Sequence, residues 1–206
     1  MFQHFNKIIF ILCILSMQIC CATNEATKHE ELANKPQTLK NQTIKKSQKT
    51  MNEVKIENIK DITVACIKHS GSYSKIGEAF NELFFVAKES NLLNRNTRMI
   101  GVFYDNPNMI EEKNLRSKAC ITVDENFEEK EGLKKNIIEG GKYGVYIHKG
   151  SYSQLKDIYD YLFEVWLVQN RQVALNRNIT SFEEYLNSPE KTDPSELLTK
   201  IYIPLK

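Results

Sequence analysis

The sequence predicts an α+β fold in which two βαββ units, related by a pseudo-twofold axis, share one antiparallel sheet and place two helices on one face. The main observation is an internal repeat: "HSGSYSKIGEAFNELF", which begins at His69, returns as "HKGSYSQLKDIYDYLF", which begins at His148. The same order of strand-like and helix-like patterns surrounds both copies. A repeat of this length defines the architecture, because neither unit buries its apolar side alone.

The second part of each copy predicts a helix. Apolar residues recur there at positions i, i+4, i+7 and i+11, which is the stripe of an amphipathic helix with one buried face. The stripes consist of Ile76, Phe80, Leu83 and Ala87 in the first copy and of Leu155, Tyr159, Leu162 and Trp166 in the second.

Strands are predicted on both sides of each helix. The runs "ITVACIKH" and "YGVYIHK" precede the helices and are rich in β-branched and aromatic residues. Glycine permits a sharp turn at the joint, and the serines that follow are expected to accept hydrogen bonds from the first helical amides. Downstream, "GVFYDNP" aligns with "EEYLNSP" and "LRSKACITV" aligns with "LLTKIYIPL". The helices should cover one face of the sheet and leave the other face open.

The amino-terminal part differs in composition from the repeats. Residues 1–22 combine a weakly basic start with an apolar run, which is the pattern of a secretory signal or membrane anchor. Residues 23–51 are polar and predict a disordered tether, and residues 52–206 form the domain. We therefore expect an exported protein in the periplasm or anchored on the outer side of the inner membrane. Lipidation at a cysteine is the alternative to cleavage.

The charge distribution argues against a nucleic-acid partner. The whole chain has a net charge of +2, and residues 1–50 contribute +4 of it through seven Lys and three Glu. The remaining residues, which include the domain, therefore have a net charge of −2. A nucleic-acid-binding domain normally presents a basic surface. The Lys-rich tether is either a solvated linker or a contact to an anionic membrane surface. The oligomeric state is not predicted.

Catalytic and metal-binding motifs are absent from the sequence, and no metal ion or other cofactor is expected. Cys66 and Cys120 are the two cysteines of the domain, and both lie in apolar strands. Buried free thiols are the preferred interpretation. A disulfide is the alternative if their strands are neighbours in an oxidising compartment.

One strand of the second copy carries the most informative residues. Side chains of a strand point alternately to its two faces, so "SFEEYLN" places Phe182 and Leu186 on one face and Glu183 and Tyr185 on the other. Phe182 and Leu186 are predicted to face the helices. Glu183 and Tyr185 should then face the open side.

These residues suggest a binding site for a cation. The first copy has Gly101 at the position of Glu183, which predicts space opposite the carboxylate. A carboxylate on a concave aromatic surface attracts a cation, and aromatic faces add cation–π attraction. The predicted ligand-binding residues are Phe103, Tyr146, Trp166, Glu183 and Tyr185. A solvated Glu183 and a packing role for Trp166 are the alternatives.

Six segments resemble one family in order and spacing. "VACIKHSGSYSKIGEAFNELF", "MIGVFYDNP", "LRSKACITV", "GGKYGVYIHKGSYSQLKDIYDYLFEVWL", "SFEEYLNSP" and "ELLTKIYIPL" resemble the GyrI-like small-molecule (effector) binding domain family over nearly all of residues 54–206. The resemblance implies duplicated βαββ units with a ligand cavity between them, and a pocket carboxylate at Glu183 that meets cationic aromatic ligands. The sequence departs from the family pattern at Glu184, where an apolar residue is usual. It also has an apparent export signal where regulator members of the family have a DNA-binding region.

Three functions follow as hypotheses. The first is an exported or membrane-tethered protein that binds or sequesters a hydrophobic, cationic, aromatic compound. The second is a hydrolase of strained electrophiles, such as cyclopropane-containing toxins, with Glu183 as the general base. The third is a protein-interaction module that uses the open face of the sheet.

Overall fold

A computed structural model describes residues 53–130 and 132–206 of the chain. The predicted signal at residues 1–22 and the predicted tether at residues 23–51 lie outside the described residues. Within the described ranges, no helix is both long enough and apolar enough to cross a membrane.

The described chain forms one curled, eight-stranded antiparallel sheet and two helices, which confirms the predicted fold class. The first half comprises β1 (Lys55–Ile59), β2 (Ile62–Ser70), α1 (Ile76–Glu89), β3 (Met99–Phe103) and β4 (Arg116–Thr122). The second half comprises β5 (Lys134–Ile138), β6 (Gly141–Lys149), α2 (Leu155–Tyr161, extended by a π-helical turn at Leu162–Trp166 and by Leu167–Gln169), β7 (Phe182–Tyr185) and β8 (Leu198–Pro204).

The strand order is symmetric about the centre of the sheet. It runs β1-β6-β8-β7-β3-β4-β2-β5, so that β3 and β7 lie side by side in the middle. The short strands β1 and β5 were not predicted from the sequence. Each of them pairs with the long strand of the other half, β1 with β6 and β5 with β2. The two halves therefore exchange their first strands.

The joint between strand and helix is built in the same way in both halves. Gly71 and Gly150 have φ values of 107° and 146°, and glycine adopts such values without the steric cost that other residues incur. Their amides donate to equivalent carbonyl oxygens, those of Leu115 and Leu197, both at 2.9 Å. The expected serine cap is present only in the second half, where Ser151 Oγ accepts from an amide at 3.3 Å. In the first half no side chain caps the turn.

The predicted stripe of α1 packs on the sheet. Ile76, Leu83 and Ala87 are buried, and Leu83 and Ala87 lie in an apolar cluster with Ala65 and Ala119 of the strands beneath. In α2, Leu162 and Trp166 are buried within the π-helical turn. Both helices thus cover the same face of the sheet, as predicted.

The other face of the curled sheet is not open. It carries a second buried apolar cluster, which includes Phe182, Tyr143 and Tyr202. Cys66 and Cys120 are directly paired residues of β2 and β4 in this cluster and form a disulfide. The preferred interpretation as free thiols is therefore wrong, because the register of β2 against β4 brings the two Cα atoms to 4.1 Å.

Candidate ligand-binding cleft

A large cleft lies between α1 and α2, over the centre of the sheet. Its volume is about 1950 Å³, which is larger than the roughly 300–1,000 Å³ of a typical small-molecule pocket. Both halves of the chain contribute aromatic rings to it, and these are Tyr73, Phe80, Phe84, Phe103, Tyr104, Tyr152, Tyr159, Phe163 and Tyr185. The cleft is partly open to solvent, and its volume is sufficient for a bulky, multi-ring molecule.

Glu183 lies among these rings. It belongs to the central strand β7 and pairs with Gly101 of β3 on one side and with Ile201 of β8 on the other. Only 3% of its surface is exposed. A carboxylate at this depth has lost most of its hydration, and this cost must be offset by hydrogen bonds or by a cation.

Two tyrosine hydroxyls lie beside the carboxyl group. Tyr185 Oη donates a hydrogen bond of 2.8 Å to Glu183 Oε2. Tyr159 Oη, from α2, is buried and has no hydrogen-bond partner among the residues that the structure describes. It is nevertheless near enough to the carboxyl group to influence its protonation.

Burial dominates the electrostatics of the site. It raises the pKa of Glu183 to about 7, although the neighbouring hydroxyls of Tyr185 and Tyr159 act in the opposite direction. Burial and the adjacent carboxylate raise the pKa of both tyrosines well above their ordinary value. Near neutral pH, Glu183 is therefore poised between its neutral and charged forms, and a bound cation would shift it toward the charged form.

Aromatic contacts fix the position of Tyr185. The rings of Phe80 from α1 and Tyr152 from the second joint each approach it edge-on, with centroids at 5.3 Å and 5.4 Å. Edge-to-face pairs of this kind are favourable beyond the area they bury. The hydroxyl that holds Glu183 is thus supported from both halves of the chain.

Gly101 makes room for this arrangement. A Cβ atom at this position would lie 2.9 Å from Tyr185 Oη and 2.9 Å from Phe103 Cε2. The sequence predicted an empty space opposite Glu183. In the structure, the ring of Phe103 and the hydroxyl of Tyr185 occupy that space instead.

The sheet face predicted for Glu183 is wrong. Glu183 and Tyr185 lie on the helix-covered face, as the contact between Tyr185 and Phe80 shows. Phe182 points to the opposite face and stacks on Tyr202, with ring centroids 4.1 Å apart. The error arose because both faces of this strand are buried, so that apolar character does not identify the helix side.

Three of the five predicted binding residues meet in the cleft, namely Phe103, Glu183 and Tyr185. The other two lie elsewhere. Tyr146 is buried on β6, beyond the β8 strand that separates it from β7. Trp166 packs on Gly144, whose Cβ position would lie 3.0 Å from the indole ring. Neither side chain lines the cleft, and for Trp166 the packing alternative describes the structure.

Glu184, at a position where the resemblance predicts an apolar residue, has an ion-pair partner. Arg98 forms two hydrogen bonds to its carboxylate, at 2.7 Å and 2.8 Å, and Tyr202 Oη adds a third at 2.9 Å. These contacts lower the pKa of Glu184, in contrast to that of Glu183. Adjacent glutamates on opposite faces of one strand therefore have opposite electrostatic environments.

The aromatic residues that the helices and their joints contribute to the cleft were not predicted from the sequence. Phe80 and Tyr159 belong to the predicted packing stripes, and Tyr73 and Tyr152 belong to the repeated Gly-Ser-Tyr-Ser joint. One feature of the sequence could have identified Tyr159 as a residue of the site. Tyr159 is the one position of the two stripes that carries a hydroxyl group, which indicates a polar neighbour.

A family profile matches the same part of the chain. The profile of the GyrI-like small molecule binding domain matches residues 52–206. The chain belongs to this family. The GyrI-like domain is therefore a small-molecule binding domain, and the cleft around Glu183 is its candidate site.

Individual relatives share parts of the domain. A DNA gyrase inhibitor of Escherichia fergusonii is 30% identical over 97 residues, which are 45% of this chain and 61% of the relative. The chain thus spans less than two thirds of that relative's length.

Two solved structures share the fold of the GyrI-like domain. The C-terminal domain of EcmrR matches with a TM-score of 0.60 and 20% identity, over 75% of this chain and 97% of that domain. SAV2435 bound to tetraphenylphosphonium matches with a TM-score of 0.53 and 14% identity, over 75% of this chain and 94% of that protein.

Proposed function

We propose that the protein binds hydrophobic, cationic, aromatic small molecules in the cleft between α1 and α2. The main support for this proposal is the buried carboxyl group of Glu183, which lies among aromatic rings supplied by both halves of the chain. A cation in this position gains from a carboxylate and from aromatic faces in a site with little water. The likeness in fold to SAV2435, whose structure contains the cation tetraphenylphosphonium, supports the proposal.

Calorimetric titration of the full chain tests this directly. Tetraphenylphosphonium serves as the cationic probe and triphenylphosphine oxide as a neutral probe of related shape. Wild type is expected to prefer the cation, and Glu183→Gln should lose about tenfold or more of that preference, because the charge is removed while the side-chain shape is kept. Glu184→Gln is the matched control, since this side chain pairs with Arg98 on the opposite face. Equal affinities of wild type and Glu183→Gln for the cation would refute the assignment.

The pH dependence provides a second signature. Glu183 has a pKa of about 7 in the free protein, and only its charged form attracts a cation. Affinity for tetraphenylphosphonium is therefore expected to rise between about pH 6 and about pH 8 and to level off above that. A flat profile over this range would contradict a role for the Glu183 charge.

Hydrolysis of a strained electrophile is the second candidate. It is favoured by the same carboxyl group, because a pKa of about 7 suits a general base at neutral pH. The Tyr185 hydroxyl lies within hydrogen-bonding distance as a proton donor. Mass spectrometry of the bound compound separates the two functions: a binding protein returns the compound unchanged, whereas an enzyme converts more than one equivalent.

We also propose that the protein is exported and works in the periplasm or tethered to the outer side of the inner membrane. The support is the apolar pattern of residues 1–22 together with the Cys66–Cys120 disulfide, because disulfides persist in oxidising compartments. Cell fractionation, with thiol labelling of the two cysteines after denaturation, tests this. Reduced thiols in a cytoplasmic fraction would overturn it.

A further inference from the structure

Tyr159 is the unusual residue of the cleft. Its ring lines the cavity from α2, and its hydroxyl group is shielded from solvent without a hydrogen-bond partner among the described residues. Such a group loses its water on folding, and inside the protein it gains only the electrostatic attraction of the neighbouring Glu183 carboxyl group. Across residues 53–130 and 132–206, Thr199 carries the other buried side-chain oxygen of this kind.

The position of this hydroxyl restricts the groups that can satisfy it. It neighbours the Glu183 carboxyl group, which already accepts a hydrogen bond from Tyr185 Oη at an oxygen–oxygen distance of 2.8 Å. An electron-rich acceptor on a ligand would be repelled by the charged carboxylate. An N–H donor would be attracted by the carboxylate and could donate to Tyr159 Oη, whose own proton could then be directed to Glu183.

We propose that Tyr159 is a specificity-determining residue that favours protonated amines, which carry an N–H group, over permanently charged cations that lack one. This inference rests on the proposed function and narrows its ligand class. A quaternary ammonium or a phosphonium ion satisfies the charge of Glu183 but offers no donor to the oxygen of the Tyr159 hydroxyl. A protonated tertiary amine of the same shape satisfies both groups.

A matched pair of ligands isolates this effect. Dimethyl(naphthylmethyl)amine and trimethyl(naphthylmethyl)ammonium differ by one methyl group in place of one N–H hydrogen. Calorimetric titration of the full chain is carried out at a pH where the amine is protonated and Glu183 is charged. Wild type is expected to bind the amine about tenfold more tightly than the ammonium ion, which is the usual effect of one added hydrogen bond at a buried group.

The variant Tyr159→Phe should bring this ratio close to one, mainly by weakening the amine. Tyr161→Phe is the control, because this tyrosine lies on the same helix but does not line the cleft; its ratio should stay at the wild-type value. At about pH 5, where Glu183 is neutral, the melting temperature of Tyr159→Phe should be equal to or higher than that of wild type, because the hydroxyl that is removed has no hydrogen-bond partner among the described residues. A lower melting temperature would show that the hydroxyl is paired, which overturns the inference.

The outcomes separate this inference from the function on which it rests. If both probes bind in a manner that depends on Glu183 and wild type does not distinguish them, Tyr159 does not select the ligand, although the site binds cations. If Tyr159→Phe keeps the wild-type ratio, the selection comes from another residue and the inference is wrong. If neither probe binds, or Glu183→Gln leaves both affinities unchanged, the proposed function fails together with this inference.

Discussion

Replacement of Glu183 by Gln is expected to stabilise the folded domain at neutral and alkaline pH. The ordinary pKa of a glutamate is 4.5, and burial raises that of Glu183 to about 7. Between these two values the folded state binds a proton that the unfolded state releases, so the carboxyl group makes folding less favourable as the pH rises. At about 1.4 kcal/mol for each pH unit, the full cost is about 3 kcal/mol above pH 7. Gln remains neutral and avoids this cost while it still accepts the Tyr185 hydrogen bond.

Urea denaturation of wild type and Glu183→Gln measures the effect. The free energy of unfolding of the variant should exceed that of wild type by less than about 1 kcal/mol at about pH 5 and by about 3 kcal/mol at about pH 8.5. The difference between the two proteins isolates this group, since all other titrating residues are shared. A difference that does not grow between the two pH values would refute the assignment of a raised pKa to Glu183.

Glu184→Gln is a control that should change the free energy of unfolding in the opposite direction. The pKa of Glu184 is lowered by Arg98, so its charge stabilises the fold above the unfolded pKa, and this contribution is lost as the pH falls through the folded pKa. The variant should therefore be less stable than wild type by about 1–3 kcal/mol at about pH 8. This deficit should disappear in acid. Two neighbouring substitutions of the same kind thus change stability in opposite directions.

Three further experiments test the structure away from the carboxylates. Replacement of Cys66 and Cys120 by Ala should lower the free energy of unfolding by about 2–4 kcal/mol and remove its dependence on reductant, as measured by urea denaturation. Gly101→Ala should lower the free energy of unfolding by about 1–3 kcal/mol, because the new Cβ would lie 2.9 Å from neighbouring side chains. Gly77→Ala is the control: it has open space around it and should leave the thermal stability unchanged or raise it. Trp166→Phe should change the affinity for tetraphenylphosphonium less than about twofold in calorimetry, because Trp166 packs on the sheet outside the cleft.

The internal repeat predicted most of the fold, because it contains the residues that determine the local structure. Gly71 and Gly150 mark the two joints, and the helical stripes begin at equivalent places after them. The short strands β1 and β5 escaped prediction because "KIENI" and "KKNII" are weak strand patterns. Their pairing with the opposite half is a long-range contact that local patterns do not encode.

The sequence predicted Glu183, the central residue of the site, but not most of the residues that surround it. Alternation placed Glu183 and Tyr185 together on one face, which is correct, because the period of a strand is fixed. The assignment of that face depended on the sheet having one buried side, whereas Phe182 is buried on the side away from the helices. The interpretation of Cys66 and Cys120 as free thiols is wrong for a similar reason, since only the register of β2 against β4 brings the two residues together.

The exchange of strands between the halves makes each half depend on sequence that belongs to the other. Because β1 covers the edge of β6, a deletion that removes the chain before Ile62 would uncover the hydrogen-bonding groups of β6, far away in the sequence. Uncovered strand edges recruit strands from other molecules, so the loss would appear as aggregation driven by the second half. The two walls of the cleft are consequently interlocked, and neither repeat is expected to fold, to be transplanted or to be redesigned without its counterpart.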